Sequence, residues 1–119
     1  MNTQCAATVF KVKNLDDSLK FYEEVLGFSP DFRFGEYAGI KHGEVFIHLS
    51  TDANPNVKAA GLGIIYIFCD EVDEYFKAIT AKGAVTKSEP RDYPYGMRDF
   101  IVLDPDGNQI TFGMETKKG

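Results

Sequence analysis

Cysteine and histidine are both scarce in this 119-residue chain, which holds two of each. Two thiols, Cys5 and Cys69, cannot build a disulfide framework. Each sits in or beside an apolar, strand-like run, so buried reduced thiols are expected. No apolar run approaches the ~20 residues needed to cross a bilayer. Met1 to Ala7 shows no basic stretch followed by an apolar one, so no export signal is visible and a cytoplasmic location is expected. Positive charge is also short: 13 Lys and Arg against 18 Asp and Glu give a net −5. That balance disfavours nucleic acid and anionic membranes as partners; it suits a neutral or cationic ligand, or else serves solubility alone. Glycine-rich phosphate loops are absent, and the isolated glycines punctuate turns.

What is present is an ordinary globular composition, 44% hydrophobic and 26% charged. A chain of this size forms one domain and buries roughly two-thirds of its unfolded surface. Ala6–Val12 reads as a strand. Asn14, Asp16 and Asp17 then supply a cap and first-turn acids for a helix whose Leu19, Tyr22, Val25 and Leu26 recur at helical spacing, with Gly27 placed to end it. Strands follow at about Asp31–Phe34, Tyr37–Lys41 and Val45–Ser50, with His42-Gly43 as a tight turn. Thr51–Ala60 is polar or small and reads as a linker. The pattern then restarts: strand Leu62–Cys69, an amphipathic helix over about 72–82 with Val72, Phe76 and Ile79 inward, then strands Val85–Ser88, Asp99–Leu103 and Gln109–Met114. Asp104-Pro105-Asp106-Gly107-Asn108 is a turn, and Glu115–Gly119 a frayed tail.

The restart is an internal repeat offset by 57 residues. Asn14, Leu15, Asp16 and Lys20 fall on Glu71, Val72, Asp73 and Lys77, and Val9 falls on Tyr66. Both halves share the order strand, helix, three strands, which favours duplication. The expected architecture is α+β, two βαβββ modules over about 6–50 and 62–114 around a linker at 51–61, related by a pseudo-twofold axis. Each module covers one sheet face with its helix. The two bare faces can curl around a shared cleft, where a concave site would lie.

Signals for catalysis are weak. Cys69 ends an apolar strand beside Asp70 and Glu71, which raise a thiol's pKa rather than activate it. The acid pairs Asp16-Asp17, Asp70-Glu71 and Asp73-Glu74 sit at helix starts, where capping accounts for them.

Val12-Lys13-Asn14-Leu15-Asp16-Asp17-Ser18, with Phe21-Tyr22 and Leu26-Gly27-Phe28, resembles the opening strand and helix of the vicinal oxygen chelate superfamily. Tyr95-Gly96-Met97-Arg98-Asp99-Phe100, followed by Asp104-Pro105-Asp106-Gly107-Asn108, resembles the closing hairpin of that superfamily's second module. The aromatic-Gly pair and Arg are similar to the bleomycin-resistance branch in particular. The likeness spans about residues 6–114. It implies the glyoxalase/bleomycin resistance/dioxygenase-like fold and a homodimer whose clefts are each shared by module one of one chain and module two of the other.

The enzymes of that superfamily hold one divalent metal in the cleft. The resemblance maps their ligand positions onto Ala7, His48, Ile64 and Thr111. Ala7 and Ile64 carry no donor and Thr111 only a neutral hydroxyl, whereas a catalytic site wants about three protein ligands. A one-residue register shift brings in Ala6, Thr8, Gly63 or Ile65 and rescues nothing. No metal, no cofactor and no catalytic residue is therefore expected. His42 reads as a solvated turn residue.

With His48 facing the cleft, strand alternation turns Phe46 the same way, with Ala7, Val9, Ile64, Tyr66 and Phe68. Adding Phe32, Phe34, Tyr37, Tyr93 and Tyr95 gives an aromatic ligand-binding set: Phe32, Phe34, Tyr37, Phe46, His48, Tyr66, Phe68, Tyr93 and Tyr95. Such walls suit flat heteroaromatic or cationic ligands. Alternatively these aromatics pack one another as core, and His48 is a structural histidine rather than a ligand contact. The favoured reading is a binder, not an enzyme, that sequesters a small aromatic ligand, neutral or cationic, as in antibiotic binding and resistance. A metal-dependent lyase or dioxygenase with an atypical site, and a ligand sensor, stay open as alternatives.

Overall fold

The computed structural model describes residues 1–51 and 59–116. Two sheets carry the chain. The first has strand order β1-β4-β3-β2, from β1 (Ala7–Lys11), β2 (Ser29–Phe34), β3 (Tyr37–His42) and β4 (Val45–Ser50). The second has order β5-β9-β8-β6, from β5 (Ile64–Phe68), β6 (Val85–Thr86), β8 (Met97–Leu103) and β9 (Gln109–Glu115), with β7 (Arg91–Asp92) also paired to β8. In each sheet the opening strand runs parallel to the last, Ala7 opposite Phe46 and Ile64 opposite Gln109. The opening strands, at Ala7 and Ile64, keep the 57-residue offset, the closing strands do not, and the α+β fold of repeated βαβββ units stands as expected.

Helix α1 (Leu15–Lys20) begins where the Asn14 side chain accepts the Asp17 amide at 2.9 Å, and it widens into a π-helical turn over Phe21–Val25. Gly27 and Gly83 follow the two helices at positive φ, as their sequence positions predict. Helix α2 (Val72–Ala81) starts differently. Glu71 stands at its N-cap with φ +48° and its side chain makes no capping bond. The acids expected at the helix starts do stand in the first turns, Asp16 and Asp17 in α1 and Asp73 and Glu74 in α2. Asp16 is also held by Arg33 and Asp73 by Arg98.

Alternation along β4 buries Ile47 and Leu49 toward the helices and turns Phe46 and His48 to the bare side. Along β5, Ile67 is buried while Ile64 and Phe68 stand on the bare, open face, 66% and 75% exposed. One hydrophobic cluster joins both halves, with Phe10, Tyr22, Leu26 and Ile47 beside Val72, Ile79, Phe100 and Phe112.

The Asp104–Asn108 turn is also the clamp between the halves. Asn108 Nδ2 donates to Lys11 O at 3.2 Å and its Oδ1 accepts from Gly63 N at 2.8 Å. Tyr22 donates to buried Asp104 at 2.9 Å, and the Lys13 amide to Asp106 at 3.2 Å. Burial first, and Asp104 second, push the Tyr22 phenol well above its ordinary pKa.

Several expectations need correction. Cys5 is exposed, because β1 begins only at Ala7; Cys69 is half-buried, and both thiols are free. The strand expected at Val85–Ser88 stops at Thr86, and the short strand Arg91–Asp92 was not anticipated, since two-residue pairings carry no periodicity. Glu115 belongs to β9 rather than to the tail, and Thr116 bonds Gly96. Most of the expected linker, residues 52–58, and residues 117–119 lie outside the described residues.

Candidate functional site

The open face collects the predicted aromatics into two separate groups. In the first sheet Phe32 packs on Tyr37 and His48, with ring centroids at 6.0 and 5.0 Å, and Phe34 adjoins Phe32 at 6.3 Å. This close stack is made by Gly39. It lies opposite Phe32 on one side and His48 on the other, and a Cβ there would run into the Phe32 ring. The Tyr37 hydroxyl and His48 Nδ1 share a 2.9 Å hydrogen bond, which fixes the imidazole. Nε2 has no protein partner among the described residues and remains open to a ligand.

The second group sits on the other sheet: Tyr66 with Phe68 at 5.1 Å, and Tyr93 stacked on Tyr95 at 5.3 Å and 8°. Phe46 joins neither ring stack. It lines a groove of about 560 Å³ with Ala7, Thr8, Tyr66 and Phe68, where the edges of β1 and β5 part. All nine predicted residues thus lie on or beside the open face, and the groove brings Phe46 of the first sheet to Tyr66 and Phe68 of the second.

A further residue completes the second group, and the sequence reading overlooked it. Asp99, 4% exposed, accepts hydrogen bonds at Oδ2 from Tyr66 at 2.8 Å and Tyr95 at 2.7 Å. Tyr66 crosses β9 to reach it, and only because Gly113, paired with Asp99, has no side chain in the way. The hydrogen bond from Asp99 lifts the Tyr95 phenol to about 12, and burial followed by the same carboxylate raises Tyr66. A signal for Asp99 existed. Phe100 and Val102 are core residues, so alternation sends Asp99 and Ile101 to the opposite face.

The positions expected to match metal ligands share this face. Ala7 and Ile64 project no donor, and Thr111 offers a buried hydroxyl beside Tyr66 and Ile101. Among the described residues no three His, Cys, Asp or Glu side chains cluster closely enough to hold a metal ion. The donor set therefore does not fit the superfamily's metal.

On the helix side a distinct cavity of about 570 Å³ lies between the halves, lined by Phe28, His42, Cys69, Tyr75 and Phe112 among others. It holds one of the nine predicted residues, Phe68. His42 is exposed at the end of β3, its ring edge-on to Phe28 at 5.5 Å. Burial first and Asp70 second push the Cys69 thiol up, away from a reactive thiolate. No helix among the described residues is long and apolar enough to cross a membrane.

Paired βαβββ sheets with bare, aromatic inner faces define a class of fold built around an open cleft, and comparison with known proteins gives the same class. The family model of the Glyoxalase/Bleomycin resistance protein/Dioxygenase superfamily matches residues 5–112. The chain belongs to that superfamily. An uncharacterised protein of Mycolicibacterium smegmatis is 34% identical over 111 residues, 92% of each chain. Among solved structures, TioX from Micromonospora sp. ML1 aligns with TM-score 0.82 at 23% identity, covering 96% of this chain and 100% of its own. The lactoylglutathione lyase of Agrobacterium tumefaciens aligns with TM-score 0.76 at 24% identity, over 96% and 95% of the two chains. At such identities these structures share the fold.

Proposed function

We propose that the protein binds and sequesters a small aromatic ligand without metal, in the manner of the bleomycin-resistance branch, as a cytoplasmic homodimer with two shared clefts. The observation that carries this reading is the open face itself. Eight aromatic rings and His48 stand on it, and of the positions mapped to the superfamily's metal ligands Ala7 and Ile64 are donor-free. Sequestration needs a shaped apolar surface and a favourable field, with no reacting group. Stacking on such rings contributes roughly 0.5–1.5 kcal/mol per pair beyond area burial. The net charge of −5 per chain, −10 for two, favours a cationic ligand at long range.

Calorimetric titration of chelator-dialysed protein with a bleomycin-family compound tests the reading. We expect saturable binding of about one molecule per cleft that survives ~0.5 M salt. Phe46→Ala or Tyr95→Ala should weaken it by about 1–3 kcal/mol, as for truncated interface aromatics. Binding that disappears with salt and ignores both substitutions, or that requires one equivalent of added metal, would overturn the proposal.

A further inference from the structure

We propose that Asp99 is the anionic anchor of the open face, receiving the charged nitrogen of an organic ammonium, amidinium or guanidinium ligand. The inference rests on the sequestration reading and narrows it to cationic aromatics. Asp99 is 4% exposed, yet among the described residues no Lys or Arg pairs with it. A carboxylate taken out of water wants a cationic partner or a full set of donors. Here it has two neutral hydroxyls, from Tyr66 and Tyr95, and both fall on Oδ2. Oδ1 takes no bond from a described residue. It is not sealed in either, since the one side-chain atom both buried and unbonded among the described residues is Ser18 Oγ.

The adjacent guanidinium is unavailable. Arg98 points to the other side of β8, held by Asp73 at 2.7 and 2.9 Å and by Asp92 at 3.1 Å. Meanwhile the surroundings match a flat cation. The two tyrosines hold the carboxylate in one orientation, and the stacked Tyr93 and Tyr95 rings present π-faces beside it. A charged N–H donor bonding Oδ1 makes a charge-assisted hydrogen bond, about twice as strong as a neutral one. A neutral aromatic gains stacking alone.

Fluorescence titration of the full chain with 9-aminoacridine, a flat cation at neutral pH, and with neutral acridine separates the possibilities. Wild type should prefer the cation by roughly tenfold or more, and the preference should persist in ~0.5 M salt. Asp99→Asn should bring the two affinities near parity while leaving acridine binding within about twofold of wild type. Equal affinities in wild type, a preference that survives Asp99→Asn, or one that vanishes with salt would remove Asp99 from recognition while leaving sequestration standing. Absence of saturable binding by either acridine would overturn the sequestration reading for flat aromatics, and the anchor with it. Should Asp99→Asn fail to fold by circular dichroism, Tyr95→Phe decides, because it removes a hydrogen bond that draws charge from the carboxylate, at unchanged net charge. A cation preference that rises supports the anchor; one that falls or stays put overturns it.

Discussion

Tyr22 shows how much one side chain can hold in a fold of two halves. Its ring lies in the shared core, edge-on to Phe21 and Phe28, while its hydroxyl reaches 82 positions along the chain to buried Asp104. The helical spacing of Leu19, Tyr22, Val25 and Leu26 accounts for the ring being inside. Nothing local accounts for the hydroxyl, whose partner belongs to the other module. Tyr22→Phe keeps the packing and removes one donor from a carboxylate that also accepts from Asn108. We expect it to destabilise the protein by about 1–2 kcal/mol with an unchanged denaturant slope. Urea unfolding that shows no loss would mean the clamp contributes nothing to holding the halves together.

At the scale of elements, the two helices are built from equivalent residues and start in different ways. Asn14 and Glu71 occupy the same place in the repeat; the first caps with its side chain, and the second sits at φ +48° without a capping bond. A non-glycine residue in this left-handed region carries strain on the order of 1–3 kcal/mol. Glu71→Gly should therefore raise stability by about 0.5–1 kcal/mol, part of the relief being offset by glycine's extra unfolded-state freedom. Differential scanning calorimetry checks it, and a lowered Tm would show that the Glu71 side chain has a role beyond the turn. The strands followed their alternation closely. Where they departed, at Val85–Thr86 and Arg91–Asp92, the pairings are two residues long and too short to leave a pattern.

The whole molecule is a slab 23 Å in its shortest dimension, with helices on one side and apolar side chains bare on the other. Val9, Phe34, Ile64 and Phe68 are all exposed there. Exposed apolar patches of this kind mark association surfaces, and a twofold partner would cover both bare sheets at once. Sedimentation at micromolar concentration should give twice the chain mass, 2 × 13.3 = 26.6 kDa. A single 13.3 kDa species would leave the open face uncovered and remove the shared cleft from the proposed function.

The amino-acid sequence by itself determined the repeat, the two Gly-terminated helices, the faces of β1, β4 and β5, and the aromatic character of the open side. The repeat follows from the same order of elements recurring after 57 residues. The rest follow from spacing within a dozen residues, 3.6 for a helix and 2 for a strand, so a local pattern is enough. It also determined the lack of donors at Ala7 and Ile64, because no fold can supply a ligand atom that a side chain does not carry. The tertiary structure decided which polar groups meet. Asp99 gathers Tyr66 and Tyr95, Asp104 gathers Tyr22, and Arg98 reaches Asp73 in the first turn of α2, across separations of up to 82 positions. Polar pairings at such distances have no periodicity, and they depend on single glycines, such as Gly113, whose missing side chain lets one strand's tyrosine reach another strand's carboxylate.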